Sequence, residues 1–340
     1  MNGMPIISND LRSSCRALLL QSHMGGGSGK GIKCWEYPDE WLPLPDPQEN
    51  EIYCLVTISS MRAIYTPDEN NENSGGDIEI QGVSDKFVAD WGDGTNSSSD
   101  HKSVHTYTYG TGHRLASGAE QFIAKVTVSG NNKVNFIYGN ERNYSGTVAI
   151  KAHTSAMRLE NTSYMNFLEG SVQNTIKYIK FFGNISLLNK PNLLNFPYGM
   201  KKVEFEQQPD FALPQNFFNG FYSLESLDLP LVTEVANYSV VNLYSLRSIH
   251  MPKLKKAGDN FFDHCYGDFL LEPIEFPELE EVGDSAFAYC TALSELRLPK
   301  LKKVGYNFCI GCANLTKLVL PADFDHSQIK GNSLLNSALI

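Results

Sequence analysis

An eight-residue phrase occurs almost unchanged at two places in this 340-residue chain. It reads MPKLKKAG at 251–258 and LPKLKKVG at 298–305, and a third copy at 276–283, FPELEEVG, replaces every lysine of the phrase with glutamate. The apolar positions, the proline and the glycine are kept, whereas the sign of the charge varies. Such a pattern is typical of a repeated structural unit that has a fixed interior and a variable surface.

The prolines of these phrases and their neighbours give the length of the unit. They are spaced by 22, 25, 22 and 22 residues, at Pro230, Pro252, Pro277, Pro299 and Pro321. A period in this range is typical of solenoids in which each unit supplies one short strand and a returning segment. Apolar residues alternate just before each proline, as in a strand with one buried face, and proline ends the strand because it has no N–H to donate. The sequence therefore predicts coils that pack on one another.

Each full phrase ends in a glycine and leads into a segment that contains a cysteine. We expect the glycines to occupy turns with positive φ, and they are Gly258, Gly283 and Gly305. The cysteines that recur at one phase of the unit are Cys265, Cys290 and Cys312. A fixed phase predicts an interior column, in which free cysteine packs as a small hydrophobe. The odd total of 7 cysteines also argues against a disulfide framework.

The repeat pattern from Leu224 to Pro321 can be written LxxLxLPxLxxVGxxxFxxC. It resembles the BspA-type leucine-rich repeat, which occurs on bacterial surfaces, in some protist surface proteins and in virus-encoded proteins. Upstream, the segments 176–184 and 201–208 keep the strand pattern but lack the proline. The resemblance implies a mainly β chain with short helical segments and a C-terminal leucine-rich-repeat solenoid.

A second motif, FVADWGDGT, occupies residues 87–95. Its Asp93-Gly94 step between two strand-like segments predicts a tight hairpin. Together with His105 and Tyr107, the motif resembles the PKD domain, an immunoglobulin-like β-sandwich. The resemblance implies a sandwich with the tryptophan of the motif in its core, which acts as a spacer or a binding module.

The N-terminal region combines a Gly-rich arm with a Trp/Pro-rich segment. The glycines at 23–31 predict a flexible linker, and we expect neither a signal peptide nor a membrane-spanning stretch. Trp35 and Trp41 lie among prolines, in an extended segment that either docks on another surface or closes the neighbouring sandwich. The predicted parts are a flexible anchoring arm at 1–34, a docking segment at 35–50, a PKD-like sandwich at 51–130, an irregular connector or capping repeats at 131–175, and the solenoid at 176–340.

Composition and motifs argue against several classes of function. A net charge of −10 without a basic cluster argues against a nucleic-acid partner. We find no catalytic constellation, and the Cys309-xx-Cys312 pair lacks the second pair of ligands that a zinc site needs. The carboxylates Asp90, Asp93 and Asp100 do not follow the spacing of a calcium loop, which favours turn carboxylates over a calcium site. The chain is therefore predicted to be non-enzymatic, with no cofactor and no metal.

The order of a Trp/Pro-rich lead, a WGDG sandwich and BspA-type repeats resembles structural proteins of tailed bacteriophages. It implies a virion fibre or decoration protein that is assembled in the host cytoplasm, bound to other virion proteins through its arm, and oligomeric in the particle. A bacterial cell-surface adhesin is the alternative, and an accessory module of a carbohydrate-active enzyme is a third interpretation. We expect no membrane insertion.

The outward-facing residues of the strands form the predicted binding surface. Parallel strands bring one such residue from each coil onto a continuous face. The predicted contacts to a host-surface glycan or protein, or to a virion partner, are Asp228, His250, Glu275, Glu295, Arg297 and Lys317, with Trp35 and Trp41 for docking. A solvated face of mixed charges is the other interpretation. On the opposite edge, the exchange of lysine for glutamate predicts charge pairing between neighbouring coils.

Overall fold

The computed structural model of this protein describes residues 34–48, 51–58, 77–82, 87–99, 102–128, 135–138, 147–151, 154–160, 164–167, 176–183, 199–265 and 273–331. All of them belong to one compact unit, Cys34–Ile340. The predicted anchoring arm, apart from its last residue, and Asp100 lie outside the described residues. Within the described ranges, no helix has the length and apolar character needed to cross a bilayer.

The regular secondary structure of the described residues is almost entirely β, as predicted, with one short 3-10 turn at His326–Gln328. The strands of its first half are β1 (Glu51–Ile58), β2 (Asp77–Gly82), β3 (Phe87–Asp90), β4 (Asn96–Ser99), β5 (Lys102–Thr106), β6 (His113–Arg114), β7 (Glu120–Val128), β8 (Asn135–Tyr138), β9 (Thr147–Lys151), β10 (Thr154–Glu160) and β11 (Tyr164–Phe167). The strands that follow are β12 (Tyr178–Phe182), β13 (Lys202–Phe205), β14 (Ser226–Asp228), β15 (Glu234–Val235), β16 (Ser248–His250), β17 (Lys256–Ala257), β18 (Ile274–Glu275), β19 (Glu281–Val282), β20 (Glu295–Arg297) and β21 (Lys317–Val319).

The first sheet runs without a break from the N-terminal half into the repeat region. Its strand order is β13-β12-β10-β1-β7-β3-β4, and β6 pairs with β7. β1 is antiparallel to both β7 and β10, whereas β12 and β13 extend the sheet in parallel. Both faces of β1 are covered, because Ile52 and Val56 belong to the main core and Leu55 packs in a second cluster. The first coils therefore stack directly on the sheet that contains the strands of the WGDGT motif.

The second sheet has the order β11-β8-β9-β2-β5 and contacts the first sheet at the WGDGT motif. β3 and β4 form the predicted hairpin, in which Asp90 pairs with Asn96. Trp91 is buried, and its ring stacks on that of His105 from β5, with the centroids 4.9 Å apart. The hairpin and the buried tryptophan are both confirmed.

The repeat region is a solenoid whose parallel strands stay in register from coil to coil. Before the prolines, β14 pairs with β16, and a ladder of β18, β20 and β21 aligns Ile274, Leu296 and Leu318. After the prolines, β15, β17 and β19 form a second ladder. Leu296 is fully buried, as expected for the inward position of each strand. The predicted solenoid is confirmed.

Phenylalanine rings fill much of the space between these ladders. Phe287 is fully buried, and the centroid of its ring lies 5.8 Å from that of Phe261, 6.2 Å from that of Phe262 and 5.9 Å from that of Phe276. Because these rings come from two consecutive coils, their edge-to-face and tilted contacts join one coil to the next.

The glycines that end the repeated phrase have a role that the sequence analysis did not predict. None of Gly258, Gly283 and Gly305 has positive φ, so that expectation is wrong. Instead, an added Cβ on Gly283 would lie 2.6 Å from the backbone nitrogen of Asp259 and 2.7 Å from the carbonyl carbon of Gly258, both in the preceding coil. The close approach exists because Asp259 Oδ1 accepts a hydrogen bond from the amide of Asp284 at 2.8 Å. Glycine is needed for stacking distance rather than for backbone conformation.

Candidate interaction surfaces of the repeat region

The strand face consists of the outward side chains of β14, β16, β18, β20 and β21. Arg297 Nε donates to Glu295 Oε1 at 2.6 Å, and Arg297 Nη1 lies 3.8 Å from Glu275 Oε2. Lys317 Nζ lies 2.9 Å from the same Glu295 oxygen. Four of the predicted contact residues therefore form one ion-pair network across three coils.

The charges of the strand face are compensated within the face. Hydrogen bonds from Lys317 and Arg297 hold the pKa of Glu295 below its usual range, and Glu295 raises the pKa of Arg297. Further along the solenoid, Asp228 Oδ1 and His250 Nδ1 are 2.8 Å apart. A charged partner would have to replace these pairs with new ones, so the gain from each new pair would be small. The role of the six residues in partner binding stays a prediction.

Charged side chains follow the proline of each repeated phrase. They have one sign within a coil and the opposite sign in the next coil. Each of three lysines donates to the glutamate one coil earlier, in the pairs Lys300–Glu278 at 2.6 Å, Lys302–Glu280 at 2.7 Å and Lys303–Glu281 at 3.0 Å. Hydrogen bonds from the lysines lower the pKa of Glu280 and of Glu281. The predicted charge pairing between coils is confirmed.

The third side of the coils is a surface of a different composition. We call it the turn side and define it as residues 214–222, 236–244, 258–265, 283–291 and 305–313. No lysine, arginine or glutamate occurs in these five segments. Backbone hydrogen bonds align them, since the amides of Tyr238 and Ser285 donate to the carbonyls of Asp259 and Tyr306 in the following coils. The turn side is therefore continuous and lacks the cations and glutamates of the other two sides.

Exposed tyrosines lie along the turn side. They are between 38% and 55% exposed, and they are Tyr238, Tyr244, Tyr289 and Tyr306. The ring of Tyr244 stacks on that of Tyr222 at 4.8 Å between centroids, and the ring of Tyr289 packs on that of His264 at 4.8 Å. The sequence analysis missed this surface, although a spacing of 22 residues, one period, between Tyr222 and Tyr244 was a readable signal.

Two of these tyrosines occupy backbone positions that favour other residues. Tyr238 has a φ of 59° and Tyr289 a φ of 53°. A bulky residue with positive φ is an outlier, whereas asparagine and glycine tolerate this region. The equivalent positions one coil away from Tyr289 hold His264 and Gly311, with φ of 55° and 74°. Exposed rings at strained positions point to a role outside the fold, because the fold alone would favour asparagine or glycine.

The Trp/Pro-rich segment lies against the first sheet. The ring of Trp35 is 6.1 Å from that of Trp41 and 6.4 Å from that of Tyr178, between centroids. The amide of Trp35 donates to Glu225 Oε2 at 2.8 Å, which ties the segment to the repeat region. This geometry corresponds to the interpretation in which the tryptophans close the neighbouring sheet. Their contact with an external partner stays a prediction.

The carboxylates of the WGDGT motif are bound within the motif. Asp93 Oδ1 accepts hydrogen bonds from the amide and the hydroxyl of Thr95 at 3.0 and 2.6 Å, and Asp93 Oδ2 lies 2.7 Å from His105 Nε2. Partial burial raises the pKa of Asp93, but these hydrogen bonds outweigh it and hold the pKa below its usual range. Asp90 Oδ1 accepts from the amide of Gly92 at 3.0 Å. Both carboxylates act as turn acceptors, as the sequence analysis favoured.

We expect His105→Ala to raise the pKa of Asp93 towards its ordinary value of about 3.9, because one of the bonds that stabilise the carboxylate is lost. The lowered pKa of Asp93 in the folded state stabilises the fold above the unfolded-state pKa, and this contribution is lost as the pH falls through the folded-state value. A carboxyl-carbon NMR titration measures the shift. The control is His113→Ala, whose ring contacts the Glu40 carbonyl instead. An unchanged Asp93 titration in His105→Ala would leave Thr95 as the sole cause.

The recurring cysteines lie where the repeat phase predicted. Cys265, Cys290 and Cys312 are free and buried, and so is Cys309. Among the described residues, no group of three or more histidine, cysteine, aspartate or glutamate side chains is arranged to hold a metal ion.

Residues 211–339 match the family described as BspA type Leucine rich repeat region, in six copies. The predicted repeat type is therefore confirmed for this part of the chain, whereas the PKD-like identity of residues 51–130 stays a prediction. No curated protein matches the chain. A leucine rich cell surface protein from Faecalibacterium prausnitzii A2-165 is similar in structure at 11% sequence identity and a TM-score of 0.21, over 58% of this chain and 79% of that chain. At this TM-score the similarity carries no argument about fold or function.

Proposed function

We propose that this chain is a non-enzymatic adhesion protein of a bacterial cell surface, which binds a protein partner through the turn side of its solenoid. Residues 211–339 match six BspA-type repeats, and the resemblance to this repeat type, which occurs on bacterial surfaces, supports the general assignment. Stacked coils also form a rigid scaffold on which side chains of several repeats act together. The single observation that carries the choice of surface is the row of exposed tyrosines on a side without lysine, arginine or glutamate.

The composition of the turn side is that of a protein-recognition surface. Protein interfaces are enriched in tyrosine and depleted in lysine and glutamate at their centres. Antibody binding loops combine tyrosine with serine, glycine and asparagine, since tyrosine offers a large contact area at a small entropic cost. The segment 236–244 contains two tyrosines, two asparagines and a serine, and the segment 283–291 contains a tyrosine, a serine and a glycine. The strand face, in contrast, has its charges compensated within itself.

The cell-surface assignment replaces the virion role as the main interpretation. The matched repeat family gives the virion role no specific support, and anchoring through residues 1–34 stays a prediction. Antibody labelling of intact producing cells separates the two locations. Signal on intact cells supports the adhesin, and signal only after the cells are opened contradicts it.

Selection of binders from a library of random dodecapeptides tests the proposed surface. We expect enriched peptides to bind the full chain and to lose at least about ten-fold in affinity for the Tyr238→Asn, Tyr289→Asn double variant. Asparagine tolerates positive φ, so this variant should remove the rings and leave the melting temperature at or above that of the parent.

The matched control is the Glu295→Lys, Arg297→Glu variant on the strand face. It should keep peptide affinity and melt only slightly below the parent, because partly exposed ion pairs each contribute little and the like charges it places opposite Lys317 and Glu275 cost similarly little. Loss of affinity in this variant alone would show that the binding site lies on the strand face, as the sequence analysis predicted. The absence of any enriched peptide that is sensitive to either variant would contradict protein binding by the solenoid.

A further inference from the structure

Four buried thiols form a continuous stack in the last coils of the solenoid. Cys265, Cys290 and Cys312 occupy the same phase of three consecutive coils, and Cys309 precedes Cys312 by one turn. Backbone hydrogen bonds from His264 to Ala288 and from Tyr289 to Ile310 place Cys265, Cys290 and Cys312 side by side in neighbouring coils, and Cys309 lies in the same turn as Cys312. The order of neighbours is therefore Cys265, Cys290, Cys312, Cys309.

The backbone spacing of the coils suits a covalent bond between these thiols. The cysteine segments of neighbouring coils are joined by backbone hydrogen bonds of 2.9 Å from His264 to Ala288 and 2.6 Å from Tyr289 to Ile310. Backbones joined as in a sheet lie about 4.7–4.9 Å apart, which is inside the range of about 4.4–6.8 Å between the Cα atoms of a disulfide. Cys309 and Cys312 lie in one turn, closed by a hydrogen bond of 3.4 Å from the Cys312 amide to the Cys309 carbonyl. Both kinds of neighbour are therefore placed for bonding without separating the coils.

In the reduced protein the thiols are enclosed by the coils and bonded to backbone carbonyls. Cys290 Sγ donates to the Phe262 carbonyl at 2.7 Å, and Cys312 Sγ donates to the Phe287 carbonyl at 2.9 Å, each in the preceding coil. All four thiols are buried, so a small-molecule disulfide reaches them only when the coils are open, during folding or local unfolding.

We propose that the stack is a latent disulfide site, which closes as Cys265–Cys290 and Cys309–Cys312 when the chain folds in the presence of a small-molecule disulfide. This pairing follows from the order of neighbours, since it is the one that joins every one of the four cysteines to an adjacent cysteine. A Cys290–Cys312 bond would leave Cys265 and Cys309 at opposite ends of the stack. The proposal rests on the proposed cell-surface location only for its oxidising setting, in which disulfides persist.

The chemistry is two rounds of thiol–disulfide exchange. In each round a protein thiolate attacks one sulfur of glutathione disulfide, which releases one glutathione thiolate and leaves a mixed disulfide. The neighbouring protein thiolate then attacks the protein sulfur of the mixed disulfide and releases the second glutathione. In each round two protein thiols thus lose two electrons and two protons as they form a disulfide, and one glutathione disulfide is reduced to two glutathione molecules.

Refolding of the full chain with glutathione disulfide, followed by alkylation and mass spectrometry, tests the site. We expect only three of the 7 cysteines to be alkylated, and cross-linked peptides that contain Cys265 with Cys290 and Cys309 with Cys312. The oxidised chain should melt about 5 °C above the reduced one, mainly because the first disulfide constrains a long loop of the unfolded chain.

The Cys265→Ala variant should lose the Cys265–Cys290 bond and most of the rise in melting temperature. Cys34→Ala is the matched control, since Cys34 lies outside the stack, and it should keep both bonds. Full alkylation of the refolded chain, a Cys290–Cys312 link, or a lower melting temperature after oxidation would each overturn the proposal. None of these results depends on a ligand, so failure here leaves the proposed adhesion function unaffected.

Discussion

Replacement of Phe287 by alanine is expected to lower the free energy of unfolding by about 3–5 kcal/mol. The ring is fully buried among Phe261, Phe262 and Phe276, so its removal leaves a cavity between two coils. Parallel ladders on two sides hold the backbone in register and limit collapse into the cavity. Urea unfolding followed by circular dichroism measures the change.

The matched control for this substitution is Tyr306→Ala. Tyr306 is an aromatic residue of the next turn segment that is 55% exposed. Its removal should change the free energy of unfolding by less than about 1 kcal/mol, because most of its ring is already in water. Equal effects of the two substitutions would mean that the assigned register of the coils is wrong.

We expect Gly283→Ala to destabilise the protein by about 3 kcal/mol, near the upper end of the usual range for overpacking. The added methyl group would meet backbone atoms of Asp259 and Gly258, which cannot rotate away as a side chain could. To make room, the two coils would have to separate, which would weaken the hydrogen bond between Asp259 Oδ1 and the Asp284 amide. Thermal and urea unfolding of the purified variant give the magnitude.

Gly118→Ala separates this clash from the effect of backbone conformation. Gly118 has a φ of 83°, and nothing lies within 4 Å of the position of an added Cβ. Its substitution should cost about 1–2 kcal/mol through φ alone. If Gly283→Ala is the milder of the two, the close approach between coils does not account for the glycine.

Much of the fold could be predicted from the sequence because the relevant signals are local or strictly periodic. The spacing of Pro252, Pro277 and Pro299 determined the length of the coil, and the alternation around Leu296 determined which side of the strand is buried. The same period placed equivalent residues of neighbouring coils side by side. The ion pair between Lys302 and Glu280 could be predicted from this alignment of the coils alone.

Less of the candidate binding surface could be predicted from the sequence. The predicted residues Glu295 and Arg297 do lie on one face, but only the structure shows that they satisfy each other's charge. The exposed rings of Tyr238 and Tyr289 lie on the turn side, where no strand periodicity marks what is exposed. A turn residue is placed outward by its φ, and the sequence gives no direct reading of φ for a tyrosine.

The sequence by itself determined the period of the solenoid, its mainly β character, the buried column of cysteines and the hairpin at Asp93-Gly94. These features depend on alternation, spacing and turn chemistry, which are properties of short stretches. Only the tertiary structure decided that β12 and β13 extend the first sheet, that four buried cysteines adjoin in one order, and that Gly283 is required by Asp259 of the preceding coil. Each of these depends on which backbone atoms of one coil lie over the next, and that is set by stacking between segments more than twenty residues apart.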